Sequence, residues 1–234
     1  MKRLLATIRC DAALQVRNGF YTATALVTVV WALILLRAGA LDLRWLLPPM
    51  VVGNLLIGTF SFIGGLVLLE KSEGTLAAQV VTPLRTGEYL AAKIVTLAAL
   101  ALAETLVLVP LMAGRRFDAL LLIAGVVLAS ALYCLAGFIV VARYTSVNEY
   151  LLPSGAYTAV LWVPLLAYMA GWRPWLVYLH PLSAPLALVE ASFGPATPWQ
   201  VLYGFGYSIV WIGLLYAGSR RAFRRWMIER GVEE

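Results

Sequence analysis

The sequence predicts an all-α integral membrane protein, and three observations carry that prediction. Hydrophobic residues make up 62% of the 234 and charged residues 13%, against roughly 25% charged in an ordinary soluble domain. Mean hydropathy is +0.86. The apolar residues fall in runs at about 20–40, 48–69, 90–113, 118–142, 155–171 and 199–218, and a bilayer core about 30 Å thick needs about 20 such residues per helix. These runs must be helical, because lipid satisfies no open backbone group, and they lack the alternation of a membrane barrel strand. Six transmembrane helices in one domain over 1–234 leave no room for a separate soluble domain.

Residues 1–19 begin with a basic pair, but Arg9 and Asp11 cut the apolar stretch, which argues against a cleaved signal peptide. Leu4, Leu5, Ile8, Ala12 and Val16 recur at helical spacing opposite Lys2, Arg3, Arg9 and Arg17, the pattern of an N-terminal interfacial helix. In the second span, Gly53, Gly58, Gly64 and Gly65 are expected to let helices approach closely. Between the fifth and sixth spans, Pro174, Pro181, Pro185, Pro195 and Pro198 exclude a crossing helix. Trp172, Trp175, Tyr178 and Trp199 suit the headgroup level there, so short re-entrant or interfacial helices are expected. Arg220, Arg221, Arg224 and Arg225 after the last span predict a tail that hugs an anionic leaflet.

Six spans put both termini on one side. Lys2, Arg3, Arg9, Arg17, Lys71, Arg85, Lys93, Arg143, Arg220, Arg221, Arg224, Arg225 and Arg230 share that side, whereas Arg37, Arg44, Arg115, Arg116 and Arg173 fall on the other. The bias makes both termini cytoplasmic.

Catalytic parts are few. Cys10 and Cys134 are too few for a disulfide framework, and His180 has no neighbouring His or Cys with which to hold a metal. "GNLLIGT" at 53–59 has the glycine spacing of a phosphate loop, but it lacks the lysine and lies inside a span. Glu104 is the clearest intramembrane carboxylate; an acidic residue at a helix centre costs about 2.5 to 3.5 kcal/mol on insertion. It either lines a substrate path or, in neutral form, hydrogen-bonds a neighbouring helix, with Asn54 as the partner available in the second span. An intramembrane enzyme would need clustered carboxylates, a Ser/His pair or metal ligands, and Glu104 and His180 lie on different elements. A stand-alone secondary transporter would show broken spans and an inverted repeat; the first five spans show neither.

One long charged stretch interrupts this sequence, "LEKSEGTLAAQVVTPLRTGEYLAAK" at 69–93. "SEGTLAAQVV" reads as a short helix with Ser72 as its cap, Glu73 near its positive end, and Leu76, Val80 and Val81 forming a small apolar face. The chain then turns at Pro83 and Gly87 and starts the next span with Glu88 in its first turn. A solvated interhelical loop would not need apolar residues at i and i+4.

This arrangement resembles the permeases of ATP-binding cassette exporters of the second permease type. In that family an E-x-x-x-G-T-L segment, a T-P turn and E-Y-L-x-x-K form the coupling helix that docks on the ATPase subunit, and Glu70, Gly74, Thr75, Leu76, Thr82, Pro83, Glu88, Tyr89 and Lys93 match it. "HPLSAPLALVEASF" at 180–193 looks like the family's proline-led segment before the last span. Within the family the chain looks most like the permease subunits of fluoroquinolone exporters. The resemblance implies ATPase coupling through Glu70, Glu73, Gly74, Thr75, Leu76, Val80, Thr82, Pro83 and Glu88. It also implies a soluble ATPase partner that carries ATP and Mg, and a second permease subunit, identical or related. No cofactor, catalytic residue or nucleic-acid partner is implied on this chain. The expected cargo is a small drug-like, amphipathic or lipid-like molecule moving through the cell membrane, past Glu104 and Asn54.

Overall fold

The computed structural model describes residues 2–37, 44–75, 85–114 and 116–228, and every regular element among them is helical. In chain order these are α1 (Lys2–Arg17), α2 (Phe20–Arg37), α3 (Leu47–Ser72), α4 (Thr86–Ala113), α5 (Ala119–Val141), α6 (Val147–Met169), α7 (Ser183–Ala191) and α8 (Pro198–Phe223).

Five of them, α3, α4, α5, α6 and α8, are long and apolar enough to cross a membrane. The apolar part of α2, Phe20–Ile34, is shorter, and the rest of the expected first span runs into residues outside the described set. Helix α6 starts well before the expected residue 155. Ser146 caps it, its hydroxyl accepting from the Glu149 N–H at 3.3 Å, and the helix carries Pro153 in its second turn. Local capping thus extends the helix through Asn148 and Glu149, which hydropathy alone discards.

The core is built around α5, which packs on α3, α4, α7 and α8. Its residues from Ala129 to Leu135 are all buried. Helix α7, nine residues long, is buried from Ser183 to Val189 and is packed against α3, α5 and α8. Its tight seat comes from glycines of its neighbours, Gly204 of α8 facing Leu188 and Gly125 of α5 facing Val189, where a Cβ would clash. The turn Trp175–Leu179 before it is exposed at Trp175, Leu176 and Leu179. Large apolar side chains also point outward from α2 (Leu26, Val29, Leu33), α6 (Leu151, Leu152, Val160) and α8 (Leu202, Ile209, Leu214). Aqueous solvent would penalise such faces; lipid does not.

One expectation about local packing needs correction. Gly64 does permit close approach, since a Cβ there would lie 2.6 Å from the Tyr150 hydroxyl, but a Cβ on Gly58 would meet nothing within 4 Å. The reason is a single widened π turn over Leu56–Phe60 inside α3, which swings Gly58 off the packed face. In α1, Asp11 and Gln15 are buried against α4 beside the half-buried Leu4, Ile8 and Ala12, while Leu5 and Val16 are exposed.

Candidate functional site

The charged stretch folds into a buried node where α1, the end of α3 and the start of α4 meet. Lys93, on the second turn of α4, is fully buried; its Nζ donates to Asp11 Oδ1 at 2.7 Å and to Glu70 Oε1. Tyr89, one turn earlier, donates its hydroxyl to Glu70 Oε2 at 2.6 Å. Gln15, four residues after Asp11, donates from Nε2 to Thr96 Oγ1 at 2.8 Å. Two carboxylates therefore share one ammonium. Burial pushes the Asp11 carboxyl above its ordinary value in spite of Lys93 beside it. Asp11 Oδ2 and Gln15 Oε1 find no hydrogen-bond partner among the described residues.

The node fixes both flanks of residues 76–84. On the near flank Lys71 Nζ donates to the carbonyls of Ala142 and Tyr144 at 2.8 and 2.7 Å, which ties α3 to the end of α5. Arg17 grips Glu73 through both carboxylate oxygens at 2.7 and 2.8 Å. Gly74 takes the left-handed conformation, φ 68°, that ends α3, and Thr75 Oγ1 donates back to the Glu70 carbonyl at 3.1 Å. On the far flank the Arg85 N–H donates to Glu88 Oε2 at 3.0 Å, a capping interaction that starts α4.

Among the residues expected to touch an ATPase, Glu73, Gly74, Thr75 and Glu88 stand at this rim, and Leu76, Val80, Thr82 and Pro83 lie outside the described residues. The Glu70 carboxylate points inward and is 1% exposed, because Lys93 and Tyr89 offer it charge-assisted partners. Ser72 belongs to the last turn of α3 and donates to the Leu69 carbonyl at 2.9 Å; most of the helix it was expected to cap lies outside the described residues. Asp11, and the inward role of Lys93, escaped the sequence reading. The available signal was Asp11 and Gln15 at i, i+4, a polar pair interrupting an otherwise apolar face.

A second polar site lies within the spans. Glu104, on α4, is hydrogen-bonded by the Asn54 side chain of α3. Thr28 Oγ1 of α2 donates to the Thr24 carbonyl at 2.8 Å and sits 3.4 Å from Glu104 Oε1. Glu104 and Asn54, together with Thr24, Gly58 and Thr59, line a small half-open cleft with about 10 Å³ of room beside the π turn. The structure thus brings together Glu104 and Asn54, paired from sequence alone, and adds hydroxyls that sequence could not single out, since Thr is ordinary in a span.

His180 serves a turn. Its Nδ1 accepts from the Leu182 N–H at 3.2 Å, and burial pushes its pKa down to about 4. Among the described residues no group of His, Cys, Asp and Glu is placed to hold a metal ion.

The comparisons with known proteins agree with the transporter architecture. The family described as Fluoroquinolones export permease protein matches residues 2–231. Two proteins of Mycobacterium tuberculosis, from strains CDC 1551 / Oshkosh and ATCC 25618 / H37Rv, are each named a fluoroquinolones export permease protein. Each is 36% identical to this chain over 234 residues, covering 98% of both sequences. Identity at that level across nearly the full length places the chain in a family of transporter components, and it belongs to the Fluoroquinolones export permease protein family.

Proposed function

We propose that this chain is the transmembrane subunit of an ATP-binding cassette exporter. It crosses the cell membrane six times, with α2 as the first span and both termini cytoplasmic, while α1 and the arginine-rich tail lie along the inner leaflet. The short helices between α6 and α8 re-enter the outer half of the bilayer. The chain is no enzyme itself; ATP and Mg act on a separate soluble ATPase. Two permease subunits, identical or related, form the path, with Glu104 and Asn54 along it. Its cargo is a small amphipathic drug-like molecule, the fluoroquinolones of the relatives' names being the first class to try.

The observation that carries this reading is the two-sided clamp on residues 76–84. A buried charge node ties the end of α3 and the start of α4, between which residues 76–84 run, to each other and to α1. Force on that segment passes directly into three helices. In this arrangement Glu70 anchors the segment from within, and Glu73, Gly74, Thr75, Thr82, Pro83 and Glu88 border the ATPase groove.

The test is co-expression with any soluble ATPase that a neighbouring reading frame encodes, followed by purification through a tag on the permease. Stoichiometric recovery of the ATPase, and ATP-dependent uptake of a fluoroquinolone into inverted vesicles, support the proposal. Recovery of the permease alone, with uptake that does not respond to ATP, refutes it.

A further inference from the structure

The cleft between α2, α3 and α4 has a chemistry that helix packing does not use up. Glu104 is 8% exposed in the middle of an apolar helix. Its partners, Asn54 and Thr28, are neutral, and among the described residues no Lys, Arg or His forms an ion pair with it. Close by, Thr59 is 1% exposed and its Oγ1 has no hydrogen-bond partner among the described residues, although it lines the same cleft. Both features are costly in a span. A buried polar atom left unpaired loses its hydration without return, and a carboxylate without a countercharge is expensive at this depth.

A π turn brings Thr59 here at the expense of regular helix geometry. Gly58, inside that turn, has open space where a Cβ would stand, and it lines the cleft with Glu104. The remaining wall is apolar: Leu55, Phe62, Leu97 and Leu100.

We propose that this cleft binds a protonated amine, an ammonium on an apolar body, with Glu104 as its countercharge and Thr59 Oγ1 accepting a second N–H. This deepens the export reading and rests on it. Two acceptors, one ionic and one neutral, match a primary or secondary ammonium, which carries at least two N–H donors. A quaternary ammonium satisfies the charge and leaves Thr59 unpaired; a secondary amide brings no charge and only one N–H donor for the two acceptors. The size of the cleft sets the scope. With about 10 Å³ of room it holds about one water-sized group, far below the roughly 300–1,000 Å³ of pockets that enclose a drug-sized ligand. It is therefore a head-group site, and the body of the cargo extends past Phe62.

The probes are 1-naphthylmethylamine, its N-acetyl amide and its N,N,N-trimethylammonium analogue. They are bound at equilibrium to the full chain in phosphatidylethanolamine/phosphatidylglycerol nanodiscs, with partition into empty discs subtracted. Wild type should bind the amine at least about tenfold more tightly than the amide, and Glu104→Gln should lose about tenfold to a hundredfold in amine affinity, the range of one charge-assisted hydrogen bond. Thr59→Val is nearly isosteric; it should weaken the amine severalfold and leave the trimethylammonium analogue unchanged. Glu104→Gln with wild-type amine affinity and an unchanged melting temperature overturns the proposal, as does an amide that binds as tightly as the amine. Should Glu104→Gln fail to fold, Thr59→Val decides: equal weakening of amine and quaternary analogue, or none of either, overturns it. Because no ATPase is present, amine binding without ATP-driven transport would refute the export reading and leave the site standing. Export of amine cargo unaffected by Glu104→Gln would do the reverse.

Discussion

Replacing Lys93 by methionine removes the one cation that two buried carboxylates share. Lys93 is fully buried, Asp11 and Glu70 are each 1% exposed, and the ammonium bonds both. Breaking a buried pair by deleting one partner costs about 3–5 kcal/mol, because the other charge stays behind without compensation. At roughly 2–4 °C per kcal/mol for a chain of this size, the melting temperature should fall on the order of 10 °C. The surface pair Arg17 and Glu73 is the internal control. Their side chains are 62% and 34% exposed, and exposed pairs contribute about 0–1 kcal/mol, so Glu73→Gln should hardly move the melt. Glu70→Gln in the Lys93→Met background should recover part of the loss, since one buried charge is gone while an amide oxygen still accepts from Tyr89. Fluorescence-monitored melts of purified protein in detergent measure all four chains. Lys93→Met and Glu73→Gln melting within about a degree of each other would refute the burial argument.

Asp11→Asn should be at least as stable as wild type at pH 7. The amide oxygen still accepts from Lys93, and the amide replaces Asp11 Oδ2, a carboxylate oxygen without a hydrogen-bond partner among the described residues. Because the native Asp11 carboxyl is raised, its stabilising proton is held below the ordinary carboxylate pKa and lost as pH rises through the native value. The advantage of Asp11→Asn in melting temperature should therefore widen between pH 4 and 7, and a flat difference would contradict it. His180 runs the other way. Its native pKa of about 4 lies below the ordinary 6.5, so stability is intact above about pH 6.5 and lost as pH falls toward 4; His180→Gln should flatten that slope in melts taken across the range. For topology, Gly231→Cys in a Cys10→Ala background should resist an impermeant thiol reagent in intact cells and react after lysis. Labelling in intact cells would put the tail outside.

The helical class was legible because lipid leaves the backbone so few options, and the ends of α3, α4, α5 and α8 fell within a few residues of where hydropathy placed them. The start of α6 was not legible, since Ser146 capping outweighs the local polarity of Asn148 and Glu149. The pairing of Glu104 with Asn54 could be anticipated because intramembrane polar groups seek one another. The buried node could not. Asp11 and Lys93 are 82 residues apart, and nothing in a single sequence tells a lysine at the start of a span that it will turn inward instead of toward the leaflet. The π turn was equally hidden, since "LLIGTF" has ordinary helical composition.

The central claim, that residues 70–88 transmit force from an ATPase, is tested most directly by Leu76→Asp. The substitution puts a charge into a contact expected to be desolvated, at a cost of several kcal/mol unless the charge finds a partner, and it lies outside the spans. Measured as ATPase recovery on the tagged permease together with ATP-dependent transport in vesicles, both should fall while the permease stays in the membrane at wild-type level. A variant that still holds the ATPase and transports at the wild-type rate would show that the segment is an ordinary loop.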